Sequence, residues 1–308
     1  MRNESRVTSD DSWPSELRAP GTEHRAPGTE HRVRYTFPMP IDVNAPVIEN
    51  RRLSSDYNVL ALAAPEIAAC AQPGQFVMVK SGLGQDPLLR RPFSVFEVLR
   101  DATGQPTGLT LLNKQIGVST SRLFDATPGE RIACLGPLGR PFAPVDPPDR
   151  AWMVAGGVGL APFALLAEAL HARGTPMTLF YGARTAAEHF YLDFFERLGV
   201  RVILTTDDGS GGERGRVTVP LDRELAALAP DAPVMVYACG PEGMLAAAAR
   251  VAARAGRPSQ VSVERVMGCG MGGCYSCVIP VRGDDGRPHF VRSCIAGPVF
   301  AGDQVVWD

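Results

Sequence analysis

The sequence predicts an α+β multidomain protein in three parts: an antiparallel β-barrel, an α/β domain on a parallel sheet, and a small β-rich C-terminal domain. Three observations predict it. Short apolar runs broken by Pro and Gly fill residues 41–146, strands alternate with helical segments over 147–260, and four of seven cysteines crowd into the last 40 of 308 residues. Composition is that of a folded chain, 45% hydrophobic against 21% charged. Lys and Arg total 31 and Asp and Glu 33, so no basic surplus exists to neutralise phosphates, and nucleic-acid binding is not expected.

Residues 1–40 read as a disordered tail. They hold one leucine and no isoleucine, and the polar heptapeptide at 18–24 is repeated verbatim at 25–31. Such a segment cannot bury enough apolar surface to offset chain entropy. The barrel follows, with strands expected over 75–80, 93–99, 109–113 and 131–135 and a short helix beginning near Ser119. Cys70 and Cys134 fall among these strands as small buried hydrophobes. The Pro-rich stretch 141–148 reads as a linker.

Strands at 152–155, 177–181, 200–205 and 234–238 then alternate with helices at 161–172, 188–198 and 242–255, the second introduced by a Thr185-x-x-Glu188 capping box. That alternation implies a parallel sheet with helices on both faces. The run 151–167 is apolar and uncharged but holds Gly156, Gly157, Gly159 and Pro162, so it reads as strand, turn and helix start instead of a membrane span. No signal-peptide core precedes it, and a reducing, cytoplasmic location is expected. The last 48 residues, 261–308, look too few to hold a core without a bound metal centre.

Their cysteines carry the most specific signal. Cys269, Cys274 and Cys277 stand as C-x4-C-x2-C, and Cys294 follows after sixteen residues. This is plant-type 2Fe-2S spacing with a shortened final gap. Four glycines between 268 and 273 let backbone amides approach sulfur. The alternative is zinc, which more often takes two C-x-x-C pairs. An iron-sulfur cluster moves one electron at a time, so another group must couple it to a substrate.

Two sets of residues point to that group. Arg91, Pro92, Phe93 and Ser94 open a barrel strand, where an arginine could grip a pyrophosphate, a ring could pack on an isoalloxazine and a hydroxyl could bond near flavin N5. Lys114 precedes Gly117, Ser119 and Thr120 at a helix start, a natural phosphate seat, although plain N-capping also explains them. Gly156, Gly157 and Gly159 follow a buried strand and precede a helix, as do Cys239, Gly240 and Pro241. Two glycine-bearing strand-to-helix turns in one parallel sheet suit a nicotinamide nucleotide. The ordinary dehydrogenase fingerprint is absent, since Pro162 takes the third glycine position and no acidic ribose reader stands about twenty residues on. Cys239 has no base beside it in any motif and reads as packing next to the nicotinamide. His171, His189 and His289 show no ligand or triad spacing.

Taken in this order, the motifs resemble the ferredoxin-NADP reductase superfamily and, within it, the electron transfer subunits of NAD-linked class B dihydroorotate dehydrogenases. The resemblance spans residues 45–308 and rests on Arg91-Pro92-Phe93-Ser94, the glycine turn at 156–162, Thr-Asp-Asp-Gly-Ser at 206–210, the segment 237–241, the cysteine segment, and the ending Gly-Pro-Val-Phe at 297–300 with Val-Val-Trp at 305–307. It implies FAD on the barrel, held by Arg91 to Ser94, by Leu112, Asn113 and Lys114, and by Ser119 and Thr120. It further implies a 2Fe-2S cluster on the four cysteines, NAD in the α/β domain, and an FMN-containing catalytic partner that oxidises dihydroorotate, assembled as a heterotetramer with two copies of each subunit. Electrons would pass from that FMN through the cluster and FAD to NAD+. The chain departs from the family's usual residues at Lys114, Ser119 and Ala296. Two rivals remain at this stage. One is an NAD(P)H-ferredoxin reductase or hydrogenase-linked flavoprotein, with Arg184 a candidate for a 2'-phosphate. The other is a zinc-stabilised dinucleotide-sensing module.

Overall fold

The structure is a computed structural model that describes residues 39–82 and 86–307. The tail expected over 1–40 lies, up to residue 38, outside the described residues. From there the chain forms β1 (Ile41–Arg52), β2 (Tyr57–Leu62), α1 (Pro65–Cys70), β3 (Phe76–Ser81), β4 (Arg91–Ser94), β5 (Val98–Arg100), β6 (Pro106–Lys114), α2 (Val118–Asp125) and β7 (Arg131–Leu138). Every strand pair is antiparallel, in the order β4-β3-β7-β1-β2-β6-β5. Alternate residues point inward, Leu60 and Leu62, Val77 and Val79, Leu109 and Leu111, Ile132 and Cys134, and pack with Ile67 of α1 and Leu123 of α2. That two-residue period is what buries one face of a sheet.

Three expectations for this half need correction. The barrel is not closed by a hydrogen-bonded ladder: β4 and β5 are the two edges, giving a wrapped half-barrel sheet. The strand expected over 93–99 is broken because Val95 turns into the barrel core while Phe96 turns outward into a different one. The bend bonds across to β6, Phe96 N donating to Thr110 O (3.0 Å) and Thr110 N to Glu97 O (2.9 Å). Cys70 ends α1 and does not lie in a strand. Pro65 at the helix start and burial of only Ile67 and Ala68 explain that change of period.

The second half runs β8 (Arg150–Gly156), α3 (Ala161–His171), β9 (Met177–Ala183), α4 (Leu192–Arg197), β10 (Arg201–Thr206), β11 (Glu213–Arg214), α5 (Thr218–Ala226), β12 (Val234–Cys239), α6 (Glu242–Arg254) and β13 (Ser259–Ser262). The sheet order is β11-β10-β9-β8-β12-β13, parallel throughout. Ala151, Met153 and Ala155 face α3 and α4, and Trp152 and Val154 face α5 and α6, as the expected two-sided sheet requires. Among the described residues, no helix is long and apolar enough to cross a membrane.

The helix expected from Glu188 starts later. A single 3-10 turn covers Ala186–Glu188, and α4 begins after Tyr191, whose φ of 61° is left-handed. Glu188 does not cap: Arg184 Nε donates to its carboxylate at 2.9 Å. The linker is strapped down, with Phe142 buried and Tyr237 Oη donating to Ala143 O (2.8 Å).

Residues 261–308 are not separate from the nucleotide sheet. They supply β14 (Val278–Arg282) and β15 (Pro288–Arg292) as a hairpin, α7 (Ser293–Ala296), and β16 (Val299–Ala301). The last strand pairs antiparallel with β13, Val261 opposite Phe300. Strand pairing thus crosses the expected boundary at 260/261, because an otherwise open sheet edge is covered this way.

Candidate functional site

A cavity of about 550 Å³ opens where β8, β9, β10 and β12 end, the position at which open parallel sheets take ligands. Gly156, Gly157 and Pro241 line it, with Lys114, Tyr57, Arg184, Glu188, Asp207, Arg216, Met244 and Glu264. The expected glycines divide their work. Gly157 has φ of 55° and faces open space apart from Tyr57 Oη at 3.9 Å, so it is the one a ligand can approach. Gly159 is buried: a Cβ there would strike the Cys239 carbonyl and Gly240 Cα (2.7 Å). It lets the two turns touch, a packing role and not a phosphate seat. Cys239 is buried beside it, and burial, with the charge of Glu264 adding, pushes its thiol up, so it stays neutral and is no nucleophile.

Tyr57, Arg216 and Glu264 are polar lining residues that the sequence did not announce. Glu264 could have been found, since it follows β13 at the ligand end of a parallel strand; Tyr57 could not, because β2 reaches the cavity only through the packing of the two halves. Glu188 had been assigned to a helix cap. Burial raises its carboxyl, but the bonds from Arg184 and the charge of Lys114 outweigh that and hold it below the usual carboxylate range.

The flavin candidates lie on the barrel. Arg91 is exposed, held by its own turn through Nη1 to Leu89 O (3.0 Å) and Arg90 O (3.1 Å), while Pro92, Phe93 and Ser94 are half-buried. They pair with β3, Met78 opposite Pro92 and Phe76 opposite Ser94. Gly117 caps α2, and Thr120 Oγ1 accepts from Ile116 N and Gly117 N, both at 2.9 Å. Ser119 is half-buried in the first turn. Leu112 and Asn113 differ from the rest, for both side chains are buried. Asn113 Nδ2 donates to Asn58 Oδ1 (2.7 Å) and Thr120 O (3.0 Å), which ties α2 to β6. Its Oδ1 is buried and accepts no bond among the described residues. Exposed Ile116 and Val118 flank the same helix start. An exposed guanidinium, free helix amides and an apolar rim fit a flavin dinucleotide.

Cys269, Cys274 and Cys277 stand on one loop, and Cys294 follows the hairpin to join Cys277 in its apolar surroundings. Four thiolates match the ligand count of a two-iron centre, where each iron takes two protein ligands. Cys269 Sγ accepts from Gly273 N (3.2 Å) and Met271 N (3.4 Å). Bonding to Ser276 and Cys269 brings Cys274 down to about 6, whereas burial beside Cys277 pushes Cys294 up to about 12. Gly270, at φ of 72°, lets the loop press onto Met78, 2.5 Å from where a Cβ would stand. Cys277 and Cys294 share one apolar cluster with Phe76, Met78, Leu135 and Leu138 of the barrel. The histidines among the described residues are engaged elsewhere: His289 pairs with Asp285 at 3.0 Å, and His171 and His189 bond backbone carbonyls.

Comparison with known proteins agrees with both ends of this geometry. Residues 153–250 match the oxidoreductase NAD-binding domain family. Residues 264–306 match the iron-sulfur cluster binding domain of dihydroorotate dehydrogenase B. The chain is 38% identical over 246 residues to the dihydroorotate dehydrogenase B (NAD(+)) electron transfer subunit of Desulforamulus reducens, covering 80% of this chain and 90% of that protein. The same subunit of Geobacillus kaustophilus is 38% identical over 264 residues, covering 84% and 96%. Among solved structures, an NADH-dependent reduced ferredoxin-NADP oxidoreductase studied for flavin-based electron bifurcation superposes with a TM-score of 0.73 at 28% identity, over 86% of this chain and 90% of that one.

Proposed function

The chain belongs to the family of dihydroorotate dehydrogenase B (NAD+) electron transfer subunits, and from that membership we propose how its residues divide the work. Its activity is oxidoreductase electron transfer in pyrimidine biosynthesis, alongside a catalytic dihydroorotate dehydrogenase subunit. When bound, FAD exchanges a hydride with NAD+ and single electrons with a 2Fe-2S cluster, which in turn meets the FMN of the catalytic subunit. Cys269, Cys274, Cys277 and Cys294 hold the cluster, and the amides of Met271 and Gly273 stabilise its sulfur charge. Arg91, Ser94, Lys114 and the start of α2 bind and orient FAD. The cavity at Gly157, Pro241 and Glu264 seats NAD. No side chain is required as an acid or base, because the chain's task is placement.

The observation that carries this reading is the shared wall between cluster and flavin strand. Cys277 and Cys294 pack on Met78, and Met78 pairs across β3 with Pro92. The catalytic partner docks over Cys274, which is exposed on a loop that also exposes Met271 and Tyr275. We propose two copies of each subunit in the assembly and a reducing, cytoplasmic location, the latter supported by seven cysteines that form no disulfide. Co-expression with an FMN-containing dihydroorotate dehydrogenase subunit tests the reading. A coloured complex that reduces NAD+ with dihydroorotate is expected. A colourless chain with one zinc, or one that ignores the catalytic subunit and serves ferredoxin, would sink it.

Coenzyme choice follows from Glu188. Its carboxylate pairs with Arg184 and so withholds that guanidinium from a 2'-phosphate in the cavity both residues line. Glu188→Gln is expected to raise kcat/KM for NADPH relative to NADH by about tenfold. Steady-state rates with both coenzymes check it, and an unchanged ratio would refute the role.

A further inference from the structure

A second cavity, about 680 Å³, separates the outer face of the barrel from α4, with Ile48, Val59 and Leu99 on one side and Phe194 and Arg197 on the other. The two halves are not packed solid here, yet one polar chain crosses beside the gap. Arg51 Nη2 donates to Tyr191 Oη, and Tyr191 Oη donates to Glu97 Oε2 at 3.3 Å. Glu97 is in turn fixed on the barrel by Thr110, which donates to it at 3.1 Å and accepts from its amide at 3.1 Å. Arg51 and Glu97 belong to the barrel half and Tyr191 to the nucleotide half, 140 and 94 residues away in sequence.

Tyr191 is held in this place against its own backbone preference. It and Tyr275 are the non-glycine residues with positive φ among those described, and such outliers persist only where their surroundings fix them. Phe96 meets its ring edge-on at 4.5 Å and the Arg51 guanidinium lies 5.1 Å over it. Burial pushes the Tyr191 hydroxyl up, with the charge of Glu97 adding to it, so it remains a donor.

We propose that Tyr191 is a positioning residue for hydride transfer, a strut whose directional bonds to Arg51 and Glu97 set the angle between the flavin-bearing and nucleotide-bearing halves. The inference rests on the reading of those halves as FAD and NAD carriers. Apolar contact through Phe96 and Leu112 holds the halves together, but such contact is non-directional. Hydride transfer tolerates little error, since reacting atoms must lie about 3–3.5 Å apart and a displacement of about 1 Å costs about a hundredfold.

The test uses the chain loaded with FAD and cluster. Tyr191→Phe removes the two bonds and keeps the ring, and Arg51→Gln removes one of them from the barrel side. Each is expected to slow flavin reduction by saturating NADH about tenfold to a hundredfold, while calorimetric NAD+ affinity stays within about threefold. Amide exchange should quicken at residues 48–53 and 189–197, and the double variant should be no slower than Tyr191→Phe alone, as members of one unit require. Reduction at the wild-type rate, or additive losses in the double variant, would overturn the strut. A wild-type chain that NADH fails to reduce would instead overturn the nucleotide reading beneath it.

Discussion

Cys294→Ser is expected to cost the protein its cluster and with it all electron delivery from the catalytic subunit. The side chain is 1% exposed, lies in the single turn of α7, and packs with Cys277 against Met78 and Leu138. A serine oxygen is a poor replacement for a soft thiolate ligand, and it would be buried where no water can hydrate it. Loss of an outer-shell partner alone costs about 10–100-fold at a metal site, so removal of a ligand should lower dihydroorotate-driven NAD+ reduction by more than that. Visible absorbance and acid-labile sulfide should fall together. NADH-driven reduction of a two-electron dye acceptor should survive, because the flavin strand and the nucleotide cavity lie outside the altered loop. Stability should also drop, since metal binding contributes folding energy to a segment this small. Cys274→Ser, at an exposed ligand, should lose the cluster with a smaller fall in Tm. Dihydroorotate-driven turnover that persists in Cys294→Ser would show that electrons bypass these cysteines.

Gly159→Ala is the second large effect. The new methyl would meet the Cys239 carbonyl and, at 2.7 Å, Gly240 Cα. These are backbone atoms and cannot rotate aside, so the two turns must separate. Overpacking of this kind costs about 1–3 kcal/mol, and at this chain length each kcal/mol lowers Tm by about 2–4 °C. The same separation moves Gly157 away from Pro241 across the cavity, so NAD+ affinity should fall about tenfold or more. Gly243→Ala is the comparison for stability: it lines the same cavity from α6, but the added carbon meets no atom and alanine favours a helix, so Tm should hold. Thermal melting and calorimetry on both variants decide the matter. Equal NAD+ affinity in Gly159→Ala and wild type would mean that the paired turns do not shape the cavity.

Much of the cluster site was legible along the chain. Ligand spacing and the glycines around it are local, so C-x4-C-x2-C and a fourth cysteine announce their chemistry without knowledge of the fold. The parallel sheet was equally readable, because alternation of buried strands with apolar helices leaves few other arrangements. Where reading failed, two local signals competed. Thr185-x-x-Glu188 has the pattern of a capping box, but Arg184 claims the carboxylate and the helix waits for Tyr191. Residues 93–99 have strand composition throughout, but Val95 and Phe96 are drawn into different cores and the strand is interrupted over 95–97.

The sequence by itself determined the cofactor chemistry: four sulfurs at iron-sulfur spacing, a flavin-type strand, and two glycine turns at strand ends. Tertiary structure decided how those pieces serve one another. It made Gly159 a packing contact and left Gly157 open to the ligand. It turned Asn113 inward as an anchor for α2, and it brought Arg51 and Glu97 to Tyr191. The physical reason is range. Ligand spacing and helix or strand period act over a few residues, whereas contacts between residues 94 or 140 apart form only when burial of the two cores has already closed the intervening chain.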